Sequence, residues 1–175
     1  MKKRYSITGF KFGHLLLLAL SLFVSCKHNQ EHLSIKESSQ VKDSVSRMTA
    51  NIARDISNKG PAAWLNYFED TPDFFMANDG QLVFKDYPSA KAFILNTVVK
   101  IIPGIKLRWD HIRIEPLTPE LASIGADFHE DQINNVGKTL SYDGYLTGVA
   151  HYSGRAWKLR SLHWSIKAPI DTPAK

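Results

Sequence analysis

Apolar side chains recur every three or four residues from Val41 through Val45, Met48 and Ile52 to Ile56, the stripe of one amphipathic helix face. Gly60 and Pro61 end that helix and open a short second one, PAAWLNYFED, with Trp64, Tyr67 and Phe68 on one side. In FFMANDGQLVFKD two short apolar runs flank Asn78-Asp79-Gly80, which predicts a hairpin because Asn, Asp and Gly all tolerate positive φ. A third helix follows Pro88, with Ala90, Phe93, Ile94 and Val98 on one stripe, and stops at Pro103-Gly104. From Lys106 to Ile166 the alternation is that of strands, broken by turn signals at Thr118-Pro119, Asn134-Asn135 and Ser153-Gly154. Helices followed by strands predict an α+β fold, three helices packed on a mainly antiparallel sheet.

The amino terminus follows another pattern. Lys2, Lys3 and Arg4 precede the apolar run LLLLALSLFV, which is too short to span a bilayer and reads as a processed export signal over residues 1–25. It ends in FVSC, and Cys26 is the only cysteine. This segment resembles the lipobox of bacterial lipoproteins, which implies lipidation at Cys26, anchoring to a membrane outside the cytoplasm and a location in the bacterial cell envelope. An ordinary secreted protein or an uncleaved anchor helix are the alternatives. Phe23 departs from the resemblance, since Leu usually stands three residues before the cysteine. A lipidated Cys26 leaves no thiol for a disulfide, a nucleophile or a Cys-ligated zinc.

The polar stretch from Lys27 to Gln40 reads as a tether that, with Cys26, occupies residues 26–40 and reaches some 20 Å as a flexible coil. Residues 41–168 then form one domain, and 169–175 a frayed tail interrupted by proline. The overall charge of +5 misleads, because Lys2, Lys3, Arg4 and Lys11 lie in the export segment. Removing those four of the 22 basic residues leaves 18 against 17 acidic ones, and nothing calls for a nucleic-acid partner.

The final strands, YLTGVAHYSGRAWKLRSLHWS, resemble the ending of SnoaL-like members of the nuclear transport factor 2-like superfamily. Trp157, Lys158, Leu159, His163 and Ser165 occupy the matching positions, with Thr147 and Val149 on the preceding strand. The resemblance implies a cone-shaped fold with a pocket between curved sheet and helices. Relatives include ketosteroid isomerase, scytalone dehydratase, polyketide cyclases and members that only bind. It also implies that Trp157, Leu159, Ser161, His163 and Ser165 face inward.

A three-residue loop at Tyr152-Ser153-Gly154 then sets Asp143 opposite His163, with Tyr145 on the same face. Such a trio could work as an acid/base set, Asp143 orienting the imidazole and Tyr145 polarising a carbonyl. A two-residue Ser153-Gly154 turn sets Gly144 opposite His163 instead. With no family catalytic set that maps onto this chain, structure or plain binding of a small, largely apolar molecule or a protein partner outweighs catalysis. A structural or accessory subunit with a filled pocket is a further alternative. Trp64 and Tyr67, near the mouth of the pocket, join Tyr145 and His163 as candidate ligand contacts.

His111, His129, Asp131 and His151 show no metal-ligand spacing, so no metal or cofactor is expected. Trp109 has the opposite parity to Ile112 and Ile114, so either a bulge intervenes or its ring points outward. Leu162, Trp164 and Ile166 fall on the outer face in this register, and three large apolar side chains there need cover from the C-terminal tail or from a second subunit, which predicts a homodimer interface.

Overall fold

The computed structural model describes residues 33–167; residues 1–25, Cys26 and the tail 169–175 lie outside the described residues. The first helix, α1 (Ile35–Lys59), begins at the N-cap Ser34 and buries Val41, Val45, Met48, Ile52 and Ile56. Glu37 N–H donates to Ser34 Oγ at 3.2 Å, and Ser34 N–H donates to Glu37 Oε2 at 2.9 Å, a reciprocal capping box. The helix therefore starts six residues before Val41, and residues 35–40 are helix rather than tether. The signal lies in Ser-Ile-Lys-Glu, whose serine and glutamate satisfy two orphan N–H groups.

Gly60, at φ 77°, ends α1; a Cβ there would meet Pro103 O at 2.8 Å. Pro61–Asn66 forms a 3₁₀ turn rather than a longer helix and buries Trp64. Strands β1 (Phe75–Asn78) and β2 (Gln81–Phe84) then make the hairpin, turning at Asp79 (φ 46°) and Gly80 (φ 81°). Both central residues have positive φ, as the strand twist demands of a two-residue turn. Helix α2 (Tyr87–Phe93) runs on through a wider π turn (Ile94–Val98) to a last turn at Val99–Ile101.

Four long strands follow: β3 (Gly104–Thr118), β4 (Leu121–Ile133), β5 (Thr139–Tyr152) and β6 (Trp157–Ile166). The sheet order is β2-β1-β6-β5-β4-β3, antiparallel throughout except that β1 runs parallel to β6. The sheet is thus mixed. Its inner face packs on α1 and the 3₁₀ turn, where Ile124, Phe128, Leu146, Leu159, Leu162 and Trp164 meet Ile52, Ile56 and Trp64 in one core.

Two irregularities decide which side chains enter that core. In β3 the pairing shifts between Asp110 and Arg113, with His111 at φ 50°. This bulge lets Trp109 and Ile114 both pack against the core, and Trp109 Nε1–H donates to Thr49 O at 3.0 Å. In β6 Leu159 pairs with Ala150 but Ser161 with Val149, leaving Arg160 as the extra residue. Parity reverses across this bulge, so Leu159 is buried and so are Leu162 and Trp164.

The β5–β6 register corrects the expected one. Tyr152 pairs with Trp157, and the loop holds four residues rather than two or three. His163 then pairs with Thr147 and is exposed on the outer face, while Tyr145 pairs with Ser165. Leu162 and Trp164 belong to the core, not to an outer apolar face, and the argument for a dimer interface at Leu162, Trp164 and Ile166 falls with that placement.

Candidate active site

Between the inner sheet face, the hairpin and α2 lies a cavity of about 230 Å³. Trp64, Phe68, Phe84, Phe93 and Trp164 supply aromatic walls, and Ile94, Val98, Ile105 and Leu162 supply aliphatic ones. The rings pack on one another, with Trp164 centred 5.7 Å from Trp64 and 4.2 Å from Phe128. Ile166 lines the cavity as well, so all three apolar residues expected on the outer face point the other way.

Glu130 is the one ionisable residue among those that line this cavity, and only 6% of its surface is exposed. It stands on β4 between Leu107 of β3 and Tyr142 of β5, on the same inner face as Phe128 and Ala126. Burial among apolar side chains holds its carboxyl above the usual glutamate range, and a hydrogen bond from Gln132 pulls weakly the other way. That bond runs from Gln132 Nε2–H to Glu130 Oε1 at 2.6 Å. Asn78 adds a third polar group to the lining; its Oδ1 is buried and has no hydrogen-bond partner among the described residues. An apolar enclosure with one carboxyl and two amides can hold a neutral, mostly apolar molecule and exchange a proton with it.

The expected trio does not assemble. His163 is exposed on the outer face, opposite Thr147. Asp143 Oδ1 meets His129 Nδ1 at 2.9 Å across β4 and β5, also on the outer face. Tyr145 lies over Gly125 on that face, where a Cβ would meet its hydroxyl at 2.6 Å. Of the four expected ligand contacts, Trp64 lines the cavity. Tyr67 does not, because its hydroxyl donates to Asp55 Oδ2 at 2.7 Å beside α1. Burial and then the Asp55 carboxylate push the Tyr67 phenol up to about 12.

Glu130 escaped the sequence reading because it stands in FHED, where His129 and Asp131 drew attention to metal binding. Strand parity is the signal that was available. Ala122, Ile124, Ala126, Phe128 and Glu130 share one face, and a carboxylate that continues an apolar stripe is a candidate for a pocket.

The outer face carries its own polar pairs. His129 Nε2 lies 3.3 Å from Asp131 Oδ1, so both ring nitrogens face carboxylates, and Asp143 above all raises its pKa. His111 Nδ1 lies 3.1 Å from Asp127 Oδ2. His151 Nδ1 lies 2.6 Å from the buried Glu69, and Arg160, set aside by the β6 bulge, reaches Glu69 at 3.6 Å and Asp73 at 2.8 Å. Among the described residues no group of three or more His, Cys, Asp or Glu side chains could hold a metal ion.

No family model matches the chain, and no curated protein matches its sequence. Solved structures do match. A nuclear transport factor 2-like superfamily protein from Salmonella enterica serovar Typhimurium LT2 superposes with a TM-score of 0.64 at 16% identity, over 78% of this chain and 98% of its own. A hexachlorocyclohexane dehydrochlorinase, LinA-type3 of Novosphingobium barchaimii LL02, gives 0.62 at 11% identity over 77% and 92%. A protein provisionally named a scytalone dehydratase, from Novosphingobium aromaticivorans DSM 12444, gives 0.65 at 11% identity over 81% and 94%. The chain therefore has the nuclear transport factor 2-like fold, and at such identities the likeness shows the fold alone. The expectation that weighed against an enzyme is corrected: several neighbours of this fold carry the names of enzymes, and a buried carboxyl lines the cavity.

Proposed function

We propose that the chain is an enzyme of the isomerase or lyase class that moves a proton on a small, neutral, largely apolar molecule, with Glu130 as its general acid/base. The observation that carries this reading is the buried Glu130 carboxyl, the sole ionisable group among the residues lining an aromatic cavity. A carboxyl whose pKa is raised is a stronger base once ionised and a usable acid below its pKa. Glu130 takes a proton from carbon. The electron pair left behind either expels a leaving group, as in elimination, or is reprotonated elsewhere by the Glu130 acid, as in isomerisation. Gln132 fixes the carboxyl's rotamer, and Asn78 Oδ1 accepts from a donor on the bound molecule. The names of the dehydrochlorinase and the dehydratase among the neighbours, both elimination enzymes by name, support the class.

The test needs no knowledge of the natural substrate. 5-Nitrobenzisoxazole is neutral, flat and apolar, and a base that removes its ring C–H breaks the N–O bond and releases a coloured cyanophenolate. The protein should accelerate this elimination with a rate that rises with pH through the Glu130 ionisation, and Glu130→Gln should remove the acceleration. Equal rates for the two proteins would sink the assignment.

We further propose that the chain sits outside the cytoplasm, lipid-anchored at Cys26 in a bacterial envelope. Its support is the basic start, the apolar run and the FVSC sequence. Mass spectrometry of Cys26 from membranes of an expressing bacterium tests it: a diacylglyceryl adduct is expected, and an unmodified thiol would refute it.

A further inference from the structure

The open end of the cavity is rimmed by apolar side chains that no other part of the described chain covers. Val83, Phe93 and Ile166 line the cavity yet are exposed, Phe93 to 46%. Leu140, also exposed, pairs with the lining residue Gln132. The neighbouring β4–β5 loop exposes 81% of Val136, and its Asn135 N–H donates to the carbonyl of Ile101, itself exposed at the end of the α2 segment. Six large apolar side chains from five separate pieces of chain thus meet at one end of the molecule, which a freely soluble surface rarely allows.

Charge at this end is mostly positive. Lys85, Lys91, Lys100, Lys138 and Lys167 each lie within two residues of one of the six, and no Asp or Glu does. All five lysines are exposed, and none is in an ion pair among the described residues. The acids nearby are fewer and hydrogen-bonded: Asp86, beside Lys85, accepts the Ser89 N–H, and Asp131 accepts from Ser141. Asp79 Oδ1 accepts the Ile166 N–H, Asp143 accepts from His129, and Glu130 points into the cavity. Apolar wedges interleaved with lysines suit an interface where hydrocarbon meets anionic headgroups, since each lysine near such a surface contributes about 1 kcal/mol. A protein partner of ordinary composition asks for no such excess of lysine.

We propose that this rim docks on an anionic lipid surface, so that the cavity opens into the bilayer and takes its apolar ligand from there. The proposal goes beyond the catalytic reading and does not depend on Glu130 or on lipidation of Cys26.

Amide hydrogen exchange of the full chain tests it, with vesicles of phosphatidylcholine alone or mixed equally with phosphatidylglycerol. Segments 81–85, 91–101 and 134–140 should gain protection only with the anionic vesicles, while Arg113–Glu115 and Ser123 on the far part of the sheet should not change. Lys100→Glu with Lys138→Glu should cut that protection at least ~10-fold, as the loss of two favourable cations predicts. Elimination of 5-nitrobenzisoxazole in lipid-free solution should be unchanged in that variant, which separates loss of docking from loss of the site. A chain held to vesicles with these segments unprotected would overturn the proposal. So would protection that rises with protein concentration in the absence of lipid, because a second copy would then be the occupant.

Discussion

Gln132 donates its side-chain N–H to Glu130 Oε1 at 2.6 Å from two residues further along the same inner strand face. The bond stabilises the carboxylate, against the stronger opposing effect of burial. It makes Gln132 a positioning residue for the proposed base. Gln132→Leu removes the donor without opening the cavity, so the Glu130 pKa should rise further. In the benzisoxazole assay the pH at half-maximal rate should move upward, and the plateau at high pH should fall because the carboxylate is less firmly oriented. An unmoved pH midpoint would show that the bond does not act on the ionisation.

Glu130 should also cost the fold stability at neutral pH. Its folded pKa lies above the unfolded value of 4.5, so its contribution is fully present below that value and is lost as pH rises through the folded pKa. Glu130→Gln keeps the shape and removes the charge. The variant should resist urea better than the parent by roughly 1 kcal/mol at pH 8, and the difference should close near pH 4. A variant less stable than the parent at pH 8 would mean that the Gln132 hydrogen bond outweighs the burial of the charge, contrary to the raised pKa.

Trp164 and His163 are neighbours in sequence with opposite fates, and urea denaturation should separate them. Trp164 packs against Trp64, Trp109 and Phe128 with 9% of its surface exposed, so Trp164→Ala should cost about 3–5 kcal/mol. His163 is exposed opposite Thr147, and His163→Ala should change stability by less than ~0.5 kcal/mol and leave the elimination rate alone. The reverse order would restore the inward histidine.

The same pair shows how much the chain discloses before it folds. The α1 stripe, the Asp79-Gly80 hairpin and the four long strands are all legible, because period and turn chemistry are local. The face of a strand is local only until a bulge intervenes. The extra residue Arg160 reverses parity between Leu159 and Leu162, and with it went the inward His163 and the supposed outer face at Trp164; the four-residue loop, which pairs Leu159 with Ala150, had already turned Asp143 and Tyr145 outward. Nothing in RAWKLRSLHWSI marks Arg160 as the bulge; its reason is tertiary, since Arg160 turns to Glu69 and Asp73. Trp109 was better signalled, because its clash of parity with Ile114 left either a bulge or an outward ring, and the bulge is found at His111. Glu130 lay in plain view on the β4 stripe, and only the cavity around it gives its position a meaning.

His129 offers a separate reading of the outer face. Its Nδ1 faces Asp143 and its Nε2 faces Asp131, so the imidazolium bridges β4 and β5, and the Asp143 hydrogen bond is the main cause that raises its pKa. For a raised histidine the contribution to stability is fully present below the unfolded value of 6.5 and disappears as pH climbs through the folded pKa. Proton NMR should find the His129 ring titrating above 6.5. In Asp143→Asn it should titrate closer to 6.5, with Asp131 alone sustaining what remains. Asp143 is exposed and His129 and Asp131 partly so, so salt should weaken the effect in the parent and, to a smaller extent, in the variant. A His129 midpoint that ignores Asp143→Asn would assign the shift to Asp131 instead and break the proposed clamp between the strands.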